Sequence, residues 1–273
     1  MTGTIGRAAA PDLHAMTFNV RRRLPDALAR RADRWQTRAP ALARLLAAER
    51  PTVLGLQESL AGQTEFVVAA LGPDYAAVGR GRDADGGGEA CPIVVDTARI
   101  EVLGWRQLAL SRTPEVAGSR SWGAPWPRIL LEARLRDRAT GIRFRVVNTH
   151  LDALSGRARL ASARMIAGIV GDGGPAIVLG DANAPVGSAP YRALTGAGGL
   201  VDTWTAAAAR LTPEWRTYSG YRAPRVGGRR IDWVLVTPGT EVRAAAINAA
   251  RIDGVAASDH EPVQALLRFP PLT

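Results

Sequence analysis

A set of polar side chains stands at or beside the ends of apolar runs that read as buried strands: Asn19, Glu58, His150, Asp181, Asn183, Asp232, Asp259 and His260. Together they offer carboxylate and amide oxygens, the hard donors that Mg²⁺ or Mn²⁺ prefers, and two imidazoles able to move a proton. The chain has three histidines, and two of them fall in this set. With one cysteine and so few imidazoles, neither a sulfur-bound structural zinc nor a histidine-rich two-metal centre is expected.

The stretch Ala176-Ile-Val-Leu-Gly-Asp-Ala-Asn183 must position the middle of this set. Four apolar residues without a polar break predict a strand buried on both faces, with Gly180 letting the chain turn as it leaves the sheet. Asp181 and Asn183 then arrive at the carboxyl end of a core strand, where open α/β sheets place their chemistry. By itself the same stretch also suits an ordinary turn, since Asp, Asn and Gly are turn residues.

Further strands are expected over 13–20, ending beside Asn19 and followed by Arg21, Arg22 and Arg23, and over 52–58, ending on Glu58. Between them the spacing of Trp35, Leu42, Leu45 and Leu46 predicts a helix over 33–50, stopped by Pro51. Trp35 and Arg38 are assigned to packing. A helix over 66–71 and a strand over 75–78 precede a Gly- and Asp-rich segment, 81–89, expected to be an exposed and mobile loop. The middle reads as strands over 91–95, 100–110, 129–135 and 143–149, with a turn at Thr140-Gly141 and His150 closing the last. An amphipathic helix over 155–170, a short helix at Tyr191, and strands over 230–236, 242–247 and 263–269 complete the pattern.

At 273 residues and 47% hydrophobic, the chain can bury one large core. No linker interrupts it, so residues 1–12 are expected to be a short flexible tail and 13–273 a single domain. No run approaches the roughly 20 apolar residues of a membrane span, and the N-terminus lacks a secretory signal. A cytoplasmic monomer without membrane insertion is the expectation. Cys91, followed by Pro-Ile-Val-Val, reads as a buried apolar residue. The net charge of +10 points to a phosphorylated or polyanionic partner, but only modestly: all 35 basic residues are arginine, a pattern that coding bias also produces.

The ordered motifs Thr17-Phe-Asn19, Leu56-Gln-Glu58, Asn148-Thr-His-Leu-Asp152, Gly180-Asp-Ala-Asn183, Arg230-Ile-Asp-Trp233 and Ser258-Asp-His-Glu-Pro262 carry a resemblance. They resemble the endonuclease/exonuclease/phosphatase superfamily, which includes DNase I, the AP endonucleases, deadenylases, neutral sphingomyelinases and inositol polyphosphate phosphatases. The resemblance spans about 13–267 and is nearest to compact bacterial members, which the segment from Ser119 to Ile129 also resembles. Ala182 stands where that superfamily usually has Phe, and the AP-endonuclease tyrosine has no counterpart. The resemblance implies a four-layer α/β sandwich, two packed mixed sheets flanked by helices, with a site at one end.

It also implies roles. Glu58, Asn19 and Asp259 would hold Mg²⁺ or Mn²⁺. His260 would deprotonate or position the attacking water with Asp232 fixing its tautomer. His150 would hydrogen-bond a phosphate oxygen, and Asp181 and Asn183 would orient nucleophile and phosphate. The residues alone leave bland alternatives open: Glu58 as an ion pair, Asn19 as a turn residue, Asp259 as a helix cap, and either His260 or Asp181 as the base. Arg128, with Trp122 and Trp126, is a candidate rim that grips a phosphate and stacks on a ring, against the alternative that these tryptophans merely pack. The function expected is divalent-metal-dependent hydrolysis of a phosphoester, in a nucleic acid strand or a small phosphorylated metabolite. A catalytically silent binding module for nucleic acid or phospho-ligands is the alternative.

Overall fold

A computed structural model describes residues 3–171, 173–197 and 199–271. The chain runs β1 (Leu13–Asn19), α1 (Trp35–Glu49), β2 (Val53–Gln57), α2 (Ala61–Leu71), β3 (Tyr75–Val78), β4 (Ile93–Asp96), β5 (Ile100–Ala109), β6 (Ile129–Asp137) and β7 (Arg143–His150). It continues through α3 (Gly156–Val170), β8 (Ala176–Asp181), α4 (Ala189–Arg192), β9 (Val201–Asp202), α5 (Thr203–Ala206), β10 (Ala209–Arg210), β11 (Asp232–Val236), β12 (Glu241–Ile247) and β13 (Val263–Arg268).

Among the described residues these strands form one 7-stranded sheet, ordered β10-β12-β13-β1-β2-β4-β3, and one 6-stranded sheet, ordered β5-β6-β7-β8-β11-β9. The inner faces meet in one apolar core that includes Ala15, Val53 and Val263 from the first sheet and Leu131, Val146, Leu179 and Val234 from the second. Outside the first sheet, Leu42, Leu45 and Leu46 of α1 and Val67 of α2 cover Met16, Leu54 and Val94. Outside the second, Ala163, Ile166 and Val170 of α3 cover Val147, Val178 and Leu235. Strands buried on both faces explain the unbroken apolar runs, and the result is the four-layer α/β sandwich expected.

Strand direction gathers the site. β1 and β2 run parallel, as do β7 and β8, so all four carboxyl ends reach one end of the sandwich. β11 is antiparallel to β8 and begins where β8 ends, which pairs Asp232 with Asp181. β13 is antiparallel to β1, so Asp259 and His260, just before it, return to the end of β1. The two sheets approach closely at Gly55, where a Cβ would lie 2.7 Å from Asn148 Oδ1. Asn148 uses that proximity to tie the sheets together: its Nδ2 donates to the carbonyls of Leu56 (2.8 Å) and Pro92 (2.9 Å), and its Oδ1 accepts from Gln57 Nε2 (2.7 Å).

Several local expectations are corrected by longer-range contacts. Gly180 is a strand residue rather than a turn residue, and a Cβ there would meet the Thr149 carbonyl at 2.4 Å. The turn falls at Asn183, with φ 48°. The helix read as 66–71 begins at Ala61, and the strand read from Arg230 begins at Asp232, because Arg230 is withdrawn into a buried pair with Asp202. Segment 3–12, read as a tail, lies along the body: Glu49 accepts from the amides of Thr4 (2.7 Å), Ile5 (3.2 Å) and Gly6 (3.1 Å). Segment 81–89 is exposed at 83–85 and 87–88, as read, but its arms are tied into a hairpin in which Gly81 N–H donates to Gly86 O and Arg82 N–H to Glu89 O. Cys91 is buried as expected, and burial pushes its thiol up to about 12. Among the described residues no helix is long and apolar enough to cross a membrane.

Candidate active site

At the gathered strand ends lies a cleft of about 390 Å³. Glu58, Arg128, His150, Asp181, Asn183, Asp259 and His260 line it. Asn19 and Asp232 lie beneath this lining, fully buried, and touch it through hydrogen bonds. Trp126, 49% exposed, lines the cleft, whereas Trp122 does not. Trp122 instead takes a left-handed conformation (φ 55°) and its carbonyl accepts from Ser155 Oγ at 2.8 Å. Of the rim residues read from sequence, the structure therefore brings Arg128 and Trp126 to the site.

Asn19 joins the two halves of the cleft floor. Its Nδ2 donates to Glu58 Oε1 (3.1 Å) and Asp181 Oδ2 (3.0 Å), and its Oδ1 accepts from the amide of Arg21 (2.9 Å). It thus faces the acids with its amide nitrogen, not its oxygen. Asn19 is therefore placed between two carboxylates, one of them the Glu58 that it was expected to join around a cation. Burial works against ionisation of Glu58, but the Asn19 hydrogen bond, Arg21 and the Arg22 amide more than offset it and lower its pKa. Asp259 is raised, first by burial and then by Glu58 beside it, with His260 opposing. Two acids repelling one another in a hollow present the hard-oxygen set that a divalent cation satisfies. Arg21 spans them, 3.5 Å from Glu58 and 3.8 Å from Asp259. Burial disfavours its charge, yet Glu58, Asp259 and Asp33 raise its pKa overall. A second grouping, Asp181, Asp232 and His260, has ligand atoms all within 4.8 Å of one another.

His260 lies between carboxylates. Its Nδ1 is 3.0 Å from Asp232 Oδ2, and its Nε2 is 3.6 Å from Asp181 Oδ2. Asp232 is itself fixed by its backbone, since Thr217 Oγ1 accepts from the amides of Ile231 (2.9 Å) and Asp232 (3.2 Å). Burial lowers the His260 pKa, but Asp232 and then Asp181 overcome it and carry the pKa well above 6.5. Asp181 is raised to about 7, by burial first and by Asp232 second. The Tyr218 ring, which the sequence did not single out, packs on His260 with centroids 5.0 Å apart and closes that side of the cleft.

His150 differs. Burial, then the charges of Arg128, His260 and Arg82, hold it well below 6.5, so it is neutral. Asn183 Nδ2 donates to the Leu151 carbonyl (3.0 Å) and reaches His150 Nε2 at 2.9 Å. Because the carbonyl fixes the amide orientation, Nε2 is the acceptor and the imidazole proton resides on Nδ1. Any hydrogen bond that His150 donates to a phosphate must come from Nδ1.

Further charged residues wall the cleft. Arg21, Arg22, Arg82 and Glu89 all face the cleft. Arg21 and Arg22 follow β1 in a run that reads as solvated; no sequence pattern marks Arg82 and Glu89 beyond their place at either end of a glycine-rich hairpin. Arg128 is only 7% exposed, and its Nε and Nη1 find no hydrogen-bond partner among the described residues.

A two-sheet α/β sandwich with acids, amides and two imidazoles gathered at one end defines the DNase I-like class of fold. The family model described as Endonuclease/Exonuclease/phosphatase family matches residues 16–260. The chain belongs to that family. A Bacteroides vulgatus endonuclease/exonuclease/phosphatase structure is 30% identical with TM-score 0.86, covering 95% of this chain and 99% of that one. A Bacteroides thetaiotaomicron mannosyl-6-phosphatase is 28% identical with TM-score 0.85, covering 94% and 100%. The human Nocturnin catalytic domain shares the fold at 19% identity and TM-score 0.72, covering 95% of each chain. No curated protein sequence matches.

Proposed function

We propose that this protein is a divalent-metal-dependent hydrolase of phosphoester bonds that works by direct in-line attack of water, without a covalent enzyme intermediate. The observation that carries the reading is that Asp181 Oδ2 accepts from Asn19 Nδ2 (3.0 Å) and faces His260 Nε2 at 3.6 Å. A buried carboxylate raised to about 7, at the floor of a cleft and beside an imidazole, is suited to handling a proton rather than to packing.

Glu58 and Asp259 would hold Mg²⁺ or Mn²⁺, with Asn19 orienting Glu58. When bound, the cation supplies Lewis-acid neutralisation of charge on the phosphate. In the step itself, water oxygen bonds to phosphorus and Asp181 receives the water proton, while the phosphorus–oxygen bond to the leaving group breaks and the departing oxygen takes up a proton from solvent. His260, flanked by Asp232 and Asp181, carries protons on both nitrogens and presents positive charge where the transition state gains negative charge. Asn183, fixed by its own bond to Leu151, holds His150 neutral and oriented. Arg128, which lines the cleft beside its ion pair with Asp152 (3.7 Å), grips the phosphate.

The substrate favoured is a small phosphorylated metabolite. A cleft of about 390 Å³ lies in the small-molecule range, and the mannosyl-6-phosphatase is a neighbour along its whole length. The test is a panel of single-stranded DNA, duplex DNA, RNA, nucleotides, sugar phosphates and aryl phosphates, with Mg²⁺ and Mn²⁺. Turnover of small esters that chelator abolishes supports the proposal. Silence on the whole panel with metal bound replaces it with a binding module, and rapid duplex cleavage moves the substrate to DNA.

A further inference from the structure

The hairpin over 81–89 has a fixed shape. Besides its internal hydrogen bonds, Gln107 Nε2 donates to the Gly81 carbonyl (3.2 Å), and Ala90 and Ser59 exchange backbone bonds of 2.8 and 3.3 Å at its base. A Cβ at Gly81 would lie 1.8 Å from the Gly87 carbonyl, so the two arms touch backbone to backbone. What this construction delivers to the cleft is one pair of charges. Arg82 Nη1 lies 2.8 Å from Glu89 Oε2, and Arg22 lies 3.4 Å from Glu89 Oε1. The Arg82 and Glu89 side chains are 13% and 12% exposed.

A carboxylate in the wall of an anion site needs a reason, because it repels the phosphate it adjoins. Glu89 also argues against a second phosphate in this part of the cleft, which would compete with it for Arg82 and Arg22. A neutral polyol has no such conflict. Each hydroxyl both donates and accepts, so it fits between a carboxylate acceptor and a guanidinium donor. Trp126, on the same cleft, offers an exposed aromatic face for the C–H side of a ring. The neighbouring position is taken by Arg128, which lines the same cleft, and Glu89, Arg82, Arg128 and His150 share one small hollow. An ester whose phosphate is held at Arg128 has Arg82 and Glu89 beside its esterified group.

We infer that the hairpin is a subsite for a polyhydroxylated, sugar-type leaving group, with Glu89 and Arg82 as specificity-determining residues that discriminate hydroxyl-bearing phosphomonoesters from plain ones. The inference rests on the hydrolase reading above.

The experiment compares kcat/KM for a hexose 6-phosphate with that for n-hexyl phosphate and p-nitrophenyl phosphate, in wild type, Glu89→Gln and Arg82→Gln, with thermal melts of each. Wild type is expected to favour the hexose ester over n-hexyl phosphate by tenfold or more. Each substitution is expected to reduce the ratio of hexose to aryl ester by roughly 10- to 100-fold, the size of a lost hydrogen bond to a charged group. Equal wild-type rates on hexose and n-hexyl phosphate overturn the subsite whatever the variants do. So does an unchanged ratio in variants that melt normally. Wild-type silence on all three esters with metal present also overturns the subsite, and only silence on the full substrate panel as well overturns the hydrolase reading, which separates the two failures.

Discussion

Asp232 Oδ2 lies 3.0 Å from His260 Nδ1, and this pair turns the opposite imidazole nitrogen toward Asp181, 3.6 Å away. Both ends of the ring thus face carboxylates, so His260 is stabilised as an imidazolium, and in the mechanism proposed above Asp181 takes the proton from water.

That assignment predicts an order of losses. Asp181→Asn should cut kcat by roughly 10²- to 10⁴-fold, the usual cost of removing an acid or base, with KM within a few fold. His260→Ala should fall in the same range, and Asp232→Asn should lose less. Near wild-type kcat in Asp181→Asn moves the base to His260; near wild-type kcat in both His260 and Asp232 variants removes the pair from the mechanism.

Glu58→Gln should weaken Mg²⁺ or Mn²⁺ binding while leaving folding intact. Loss of a mere partner to a metal ligand costs roughly 10- to 100-fold in affinity, so loss of a ligand should cost at least that. Calorimetric metal titration alongside a thermal melt reads both. An unchanged titration excludes Glu58 as a ligand.

Acid sensitivity should come from the far end of the sandwich. Burial opposes the charge of Glu49, but the amides of Thr4 and Gly6, His14 and Gln264 lower its pKa below 4.5. Burial lowers His14 below 6.5, and its Nδ1 donates to the Gly6 carbonyl at 2.9 Å. The folded state therefore binds fewer protons than the unfolded chain at both groups. The His14 contribution is lost as pH falls from 6.5 toward its folded value, and the Glu49 contribution as pH falls from 4.5 through its own. Asp181, Asp259 and His260, whose pKa values are raised, act in the opposite sense, so the readout is a difference: the urea-midpoint advantage of wild type over Glu49→Gln should shrink as pH falls below about 5. Equal slopes would falsify the assignment.

Arg38 should prove structural and indispensable. Fully buried, it donates to the carbonyls of Asp33 (3.1 Å), Val20 (2.6 Å), Arg21 (2.5 Å) and Arg22 (3.3 Å), while stacking over Trp35 at 4.9 Å. Arg38→Met leaves those carbonyls without donors and is expected to cost about 2–5 kcal/mol in chemical denaturation at constant m-value. A loss under about 1 kcal/mol would show that water replaces the guanidinium at little cost.

Substrate size should appear in salt dependence. A small phosphomonoester meets few phosphate-binding arginines, so log kcat/KM against log salt should be shallow. A slope of several units on duplex DNA, with faster turnover than on small esters, contradicts the metabolite reading.

The sequence by itself determined the strand ends and the chemistry they carry. Unbroken apolar runs such as 176–179 fold as doubly buried strands wherever the chain places them, and the polar residues that follow must emerge at their ends. Six short motifs in order were enough to specify the family and with it the sandwich. What only tertiary structure decided is which way those side chains point and what stands opposite them. Asn19 turns its nitrogen to the acids because Arg21 N–H claims its oxygen. Trp126 rather than Trp122 reaches the cleft because the backbone between them turns through Trp122 at φ 55° and Gly123 at φ 80°. Arg82 and Glu89 become neighbours through a hairpin closed by backbone hydrogen bonds that leave no trace in residue type. Hydrophobic periodicity is a property of each segment, whereas amide orientation, rotamer and charge pairing depend on atoms far away in sequence that meet only when the two sheets close on one another.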